Sequence, residues 1–350
     1  MMGDEMHISR RALLGATTWL PVWLATAGGL QAKAGRARKG MVQTVLGPIP
    51  PDELGLTLPH EHVVCDFAGA EATNPATLRP DDVVNVMRPW LLAAKAKGLR
   101  GFVDCTPAYI GRDVRVLHRL SRETGLHILT NTGYYGAAGD KYLPKHARTE
   151  TADQLAARWV REWEEGIEGT DIRPGFIKIG VDPAAGQPPR LSELDAKIVR
   201  AAAKASKRTG LVIASHTGQG AAAIQQLAIL AEEGVPASSF IFVHADGEEL
   251  AVQLAVARKG AWIELDGLNA DSEERHVRQV VAMLREHPNR LLLSHDAGWY
   301  QVGEPKQNVR GFTYLMEGFL PALRRAGVTE AQIRQITVQN PAQAFALRAA

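Results

Sequence analysis

Cysteine is almost absent from this chain. Cys65 and Cys105 are the two in 350 residues, so a disulfide-stapled scaffold is excluded by count, and no Cys-x-x-Cys pair points to a thiolate zinc site. The expectation is two buried thiols. An excess of charge of one sign is also lacking. Forty Lys and Arg stand against 38 Asp and Glu, a formal net charge of +2, and no dense basic run occurs. Nucleic acid and anionic membrane surfaces are therefore not expected partners. Beyond Leu30 no apolar run approaches the roughly 18 residues a transmembrane helix needs, so no membrane is expected for the mature form. No Gly-x-Gly-x-x-Gly follows the first predicted strand, which removes the usual dinucleotide reading. No nucleophile elbow is recognisable either.

What is present begins with an unusual N-terminus. Ser9-Arg10-Arg11-Ala12-Leu13-Leu14 precedes a mostly apolar stretch to Leu30 and a small-residue site near Ala32-Lys33-Ala34. That order is expected of a twin-arginine signal peptide over residues 1–34, with export to the periplasm after folding and metal loading in the cytoplasm. A retained anchor is the alternative, for which Gly15, Pro21, Gly28 and Gly29 make a poor span.

From Met41 onward one domain, 41–350, is expected. Met41 to Leu54, with Pro48-Ile49-Pro50-Pro51, predicts a short hairpin or arm. Eight apolar runs of strand length follow, at 56–64, 100–105, 127–132, 175–179, 211–216, 240–244, 261–265 and 290–294. They alternate with amphipathic helical patterns at 81–97, 112–124, 151–165, 192–208, 221–233, 248–259 and 272–286, and two more lie near 310–325 and 329–347. Eight strands each followed by a helix predict an α/β fold of the (β/α)₈ TIM-barrel type, for which about 250 residues suffice. A doubly wound open sheet is the alternative; eight regular repeats favour closure.

Barrel chemistry sits where the strands end. His60 and His62 lie two apart on strand one, so both rings project to one side. Strand five ends at His216, strand six at His244, and strand eight runs into Ser294-His295-Asp296. His295 should point away from Asp296. Lys178 lies mid-strand among Phe176, Ile177 and Ile179, and a buried, unpaired ammonium is costly. Two readings stay open for it: an ion pair with a carboxylate such as Asp182, or reaction of the neutral amine with carbon dioxide to give an anionic carbamate ligand.

The segment Gly55-Leu56-Thr57-Leu58-Pro59-His60-Glu61-His62, with Lys178, His216, His244 and Asp296 in that order, resembles the phosphotriesterase-like branch of the amidohydrolase superfamily. The resemblance runs from about Val45 to Leu347. It implies two divalent metal ions, with zinc the expected metal: His60, His62 and Asp296 on the buried one, His216 and His244 on the exposed one. Lys178 would bridge them as N6-carboxylysine together with a hydroxide, the nucleophile, and Asp296 would take up its proton. The resemblance also implies a homodimer.

The expected activity is hydrolysis of a small-molecule lactone or related carboxylic ester, with phosphotriesters as side substrates. Tyr135, closing strand three, matches the tyrosine that orients lactones in family lactonases. Gly267, after Leu265-Asp266, departs from the arginine usual in acyl-homoserine lactonases. Residues 297–306 are expected to form a lid, with Trp299 and Tyr300 as apolar walls and Glu304, Lys306 and Arg310 as charges for a polar substrate. A primary organophosphate triester hydrolase is the alternative enzyme, and an exported non-catalytic binding protein the alternative of another class. A Ser294-His295-Asp296 triad is disfavoured because adjacent residues on one strand cannot line up.

Overall fold

The computed structural model describes residues 38–74 and 77–349; the expected signal peptide lies outside the described residues. The chain opens with an antiparallel hairpin, β1 (Val42–Thr44) and β2 (Gly47–Ile49), with Val42 opposite Ile49. This is the expected arm. Parallel strands follow: β3 (Thr57–Cys65), β4 (Gly101–Asp104), β5 (His127–Leu129), β6 (Asn131–Thr132), β7 (Phe176–Gly180), β8 (Ile213–His216), β9 (Phe240–Val243), β10 (Trp262–Leu265) and β11 (Leu291–Leu293). A further short strand, β12 (Gly298–Gln301), pairs parallel to β3.

Two sheets run β6-β7-β8-β9-β10-β11 and β12-β3-β4-β5. They share one chain run on one side, since β5 and β6 are a single strand interrupted at Thr130. On the other side the ladder stops between β11 and β3. There Asp296 N donates to His60 O at 3.2 Å and His62 N to Ala297 O at 2.9 Å, with His60 N on Ser294 Oγ at 3.0 Å. With β5 and β6 counted as one, eight parallel strands make the (β/α)₈ barrel.

The helices form where their caps and apolar stripes predict. They are α1 (Pro80–Ala96), α2 (Val114–Thr124), α3 (Lys145–Thr149), α4 (Ala152–Glu165), α5 (Glu193–Thr209), α6 (Gly220–Glu232), α7 (Leu250–Arg258) and α8 (Glu273–Glu286). Asp113 accepts from Arg115 N and Val116 N to start α2, Thr151 and Gln154 cap α4 reciprocally, and Ser192 caps α5. Each such cap is worth about 1 kcal/mol. Arg112, just before α2, is buried and pairs with Glu162 and Glu168, so this segment serves structure. A π-helical turn, Leu315–Phe319, leads into α9 (Leu320–Arg325). Another, Gln335–Gln339, joins α10 (Glu330–Arg334) to α11 (Asn340–Phe345).

Two large apolar clusters result, beside a small third one of Cys65, Ile110 and Tyr142. The first lies between strands and helices. The second fills the barrel and joins Val103, Leu129, Phe176, Ile241, Trp262 and Leu292 to Val42 of the hairpin and Phe345 of α11. Backbone bonds from Gly40 N to Leu347 O and from Leu347 N to Met41 O tie the arm to the C-terminal segment beneath it. Both cysteines are free and buried. Among the described residues no helix is long and apolar enough to cross a membrane.

Three features depart from the expected pattern. The short helix α3 is additional. Strand eight ends at Leu293, with Pro288–Arg290 in a 3₁₀ turn instead. The expected lid begins with β12, which lies so close to β3 that a Cβ on Gly298 (φ +101°) would stand 1.9 Å from His62 O. Only glycine fits that approach.

Candidate metal centre and catalytic cavity

Alternation along the strands decides most of the site. On β7, Phe176 belongs to the barrel interior, so Lys178 two residues on faces the same way. On β8 the sequence Val212, Ala214, His216 does the same. His244 breaks this parity. Val243 belongs to the interior cluster, so its neighbour should face outward. Instead His244 takes a left-handed backbone (φ +59°) that turns its ring into the mouth. Asp296 is left-handed too, at φ +52°. Such conformations cost a non-glycine residue of the order of 1–3 kcal/mol and persist only where the surroundings enforce them. His244 N donates to Asp266 Oδ2 at 2.9 Å, which holds the turned residue.

All six candidate ligands line one cavity of about 180 Å³, together with Tyr135, Trp299, Phe67, Ile110 and Tyr142. Asp296 Oδ1 stands 3.0 Å from His62 Nε2 and 3.7 Å from His60 Nε2, yet makes no hydrogen bond. His244 Nε2 and His216 Nδ1 are 2.7 Å apart. Lys178 Nζ, buried, lies 3.5 Å from His60 Nε2. No carboxylate among the described residues reaches ion-pair distance of it. Asp182 instead accepts from Gly139 N, so that ion-pair reading of Lys178 is not realised.

Behind the rings stand carboxylates that the sequence reading did not single out. His60 Nδ1 faces Glu264 Oε2 at 2.9 Å and Asp266 Oδ2 at 3.2 Å; His244 Nδ1 faces Asp266 Oδ1 at 2.7 Å. His62 Nδ1 meets Thr106 Oγ1 at 2.8 Å. With Nδ1 facing a carboxylate, Nε2 of His60 and of His244 is the atom turned into the cluster, the orientation metal-binding imidazoles adopt, and on His60 a metal would displace the Nε2 proton. The signal for Glu264 and Asp266 was available: on β10 they continue the inward parity of Trp262.

The electrostatics follow from burial and these partners. Burial, then His244 and Lys178, push His216 down to about 2, leaving it a neutral donor. Burial and Lys178 pull His60 down, but the hydrogen bonds of Asp266 and Glu264 outweigh them and raise it to about 10. Burial pushes Asp296 up, but the adjacent His62 and His60 leave it below the usual carboxylate range. Burial raises the Tyr135 phenol above its ordinary value, so its hydroxyl stays protonated. Within each of two sets, His60 with His62 and Asp296, and His60 with His244 and Asp266, the donor atoms lie within 4.8 Å of one another; His216 and Lys178 belong to neither set. Imidazoles, carboxylates and an unpaired buried amine, with Asp296 Oδ1 unbonded between two rings, fit divalent cations of the zinc, manganese or cobalt kind.

Other expected residues have other places. His295 does point away: its Nδ1 meets Glu61 at 2.7 Å and its Nε2 accepts from Leu315 N. With Ser294 Oγ also on Glu61, no triad forms with Asp296. Arg310 does not line the cavity, and its guanidinium donates to Asp296 O and His295 O. Glu304 and Lys306 do not line the cavity. Trp299 stacks on His62 with ring centroids 4.0 Å apart, and Tyr135 meets His216 edge-on at 4.9 Å. At Gly267 a Cβ would lie 2.4 Å from Asp246 Oδ2, itself bonded to His276 Nε2, so no side chain has room there.

Residues 40–345 match the sequence profile of the phosphotriesterase family. The chain is 31% identical over 301 residues to the phosphotriesterase homology protein of Escherichia coli, covering 84% of this chain and 99% of that one. It is 28% identical to N-acetyltaurine hydrolase of Danio rerio (87% and 97% covered) and 27% identical to aryldialkylphosphatase of Saccharolobus solfataricus (85% and 96% covered). Fold, site and relatives agree that the chain belongs to the phosphotriesterase family.

Proposed function

We propose that this chain is a metal-dependent hydrolase of small, uncharged carboxylic esters, lactones foremost, with phosphotriesters as poorer substrates. The observation that carries the reading is the convergence of four imidazoles, Asp296 and the unpaired amine of Lys178 on one small cavity at the strand ends. His60, His62 and Asp296 would hold one zinc ion and His216 and His244 a second, with Lys178 as the carbamate between them. When bound, such a pair of cations supplies an activated water and polarises the carbonyl under attack.

The protein's own groups do the rest. Asp296, ionised and at the mouth, takes a proton from the attacking water. The protonated hydroxyl of Tyr135 makes no hydrogen bond among the described residues and is free to donate one to the substrate oxygen. Trp299, Phe67, Ile110 and Tyr142 exclude water from an apolar group. Lys178 is the cavity's one Lys or Arg side chain. A sulfonate or carboxylate tail therefore finds no counter-ion, which favours neutral esters over the anionic substrate named for N-acetyltaurine hydrolase.

The test is a panel of lactones, aryl esters, phosphotriesters and N-acetyltaurine, assayed by kcat/KM on metal-quantified protein. Highest values for neutral lactones are expected. A preference for the phosphotriester, or for the sulfonate, would replace this reading. Lys178→Ala should lose most of its bound metal and activity, with partial recovery in added short-chain carboxylic acids; wild-type metal content and rate would remove Lys178 from the site. Export is part of the proposal: replacing Arg10-Arg11 by Lys-Lys should hold the protein in the cytoplasm.

A further inference from the structure

The strand that carries His60 and His62 turns the residue between them toward the gap in the barrel ladder. Glu61 is completely buried, and it lines no part of the cavity. Its Oε1 accepts from Ser294 Oγ at 2.8 Å, from His295 N at 3.0 Å and from His295 Nδ1 at 2.7 Å, and its Oε2 accepts from Ala297 N at 2.8 Å. No Lys or Arg among the described residues pairs with it. Four donors fill the roughly four acceptor sites of an ionised carboxylate.

We propose that Glu61 is a positioning residue that places Asp296 in the cluster. Strand pairing is missing between β11 and β3, and Ser294–Ala297 crosses that gap. Glu61 grips the residues on both sides of Asp296, namely His295 and Ala297. The backbone it holds is a left-handed one, with Asp296 at φ +52°, a conformation an aspartate visits only occasionally. The other contacts of Asp296 complete the placement: its N donates to His60 O, and its O accepts from Trp299 Nε1 at 2.9 Å and from Arg310 at 3.0 Å.

The grip extends into the helical layer. His295 Nε2 accepts from Leu315 N at 2.8 Å, at the start of the π-helical turn, so the ring carries its proton on Nδ1, which donates a hydrogen bond to Glu61 Oε1. Because residues 60 and 62 face the cavity and residue 61 faces the gap, one strand supplies two candidate ligands and fixes a third from the far end of the chain. A glutamine at 61 would set an NH₂ group against at least one of these donors and leave it unsatisfied in a buried place. An aspartate would be one methylene too short.

The inference rests on Asp296 acting as proposed above, and the experiment separates the two. Glu61→Gln, Ser294→Ala and Asp296→Asn are purified as full-length proteins. Far-UV circular dichroism and melting report folding. Zn²⁺ titration of the metal-stripped proteins reports affinity, and kcat and KM are taken on the best wild-type substrate. Glu61→Gln should fold, bind Zn²⁺ about 10-fold more weakly and lose about 10-fold or more in kcat. Its KM should stay within about twofold of wild type. Ser294→Ala, which removes one of the four contacts on Glu61 along with the acceptor of His60 N, should move the same quantities in the same direction by less, and decides the matter should Glu61→Gln not fold. Wild-type Zn²⁺ affinity and kcat with only a lower Tm would overturn the proposal. If Asp296→Asn keeps full activity, the hydrolytic role of Asp296 falls, and the Zn²⁺ titration still judges the placement by Glu61.

Discussion

The two ends of the barrel are built from the same strands under opposite rules. On β7, Phe176 lies at the base and Lys178 two residues higher; on β10, Trp262 lies at the base and Glu264 above it. At the base Val42, Leu54, Phe176, Trp262 and Phe345 meet in a closed apolar plug. At the mouth His60, Lys178, Glu264 and Asp266, all buried, hold charge or polarity in a small space. A 6–7 Å step along a strand thus separates groups that stabilise the fold from groups that tax it. Burial of apolar area stabilises the base at roughly 25 cal/mol per Å². The mouth is held by directed hydrogen bonds, and four residues lining its cavity, Ala138, His244, Asp296 and Trp299, take left-handed backbones. Stability and function are therefore separable along each strand.

The sharpest way to break this comparison is to change one residue at each end. Asp296→Asn should lose about 10²–10⁴-fold in kcat, as expected when a general base goes, with Tm within about 4 °C of wild type. A comparable fall in Tm and rate together would show that the mouth also holds the fold. Phe345→Ala should cost about 3–5 kcal/mol in urea denaturation, while the folded fraction keeps its metal content and kcat; a lower kcat per folded molecule would link the base to the chemistry.

A smaller effect tests the carboxylates behind the rings. Asp266→Asn should weaken metal affinity about 10–100-fold without removing any group proposed to ligate it. Unchanged affinity in a metal titration would reduce Asp266 to a support for the His244 backbone. The smallest effect concerns Asp195 on α5, among the loops around the mouth. Burial, with Asp140 and Asp182 adding and Ser192 opposing, raises it from 3.8 to about 6, and its Oδ1 has no hydrogen-bond partner. Its folded value lies above its unfolded one, so the protein binds this proton more tightly when folded. The contribution is complete below about pH 3.8 and is lost as pH rises through about 6. Wild type should therefore lose stability relative to Asp195→Asn over that interval, read as the difference in urea midpoints; a flat difference would show that Asp195 is not strained by burial.

Much of this was legible beforehand. The eight strands, the hairpin, the helix starts at Asp113, Thr151 and Ser192, and the inward direction of Lys178 and His216 follow from local patterns. Period-two alternation brings Lys178 and His216 to one side, and a side-chain cap needs only the next turn of its own helix. β12 was not legible, because Trp299-Tyr300 reads as loop until Gly298 is seen against His62. Arg310 looked like a charge for a substrate, since nothing local reveals that its guanidinium donates to two carbonyls fourteen and fifteen residues earlier, outside the cavity.

By itself, then, the sequence determined which residues face inward and where each strand ends, because those depend on neighbours within a few positions. Tertiary structure alone decided how β3 and β11 meet, that His244 turns inward against its parity, that Glu264 and Asp266 back the rings of His60 and His244, and that Glu61 holds both sides of Asp296. Each of these joins residues that are far apart along the chain. Their geometry is set by closure of the barrel, a constraint that acts on all eight strands together and leaves no mark in any one of them.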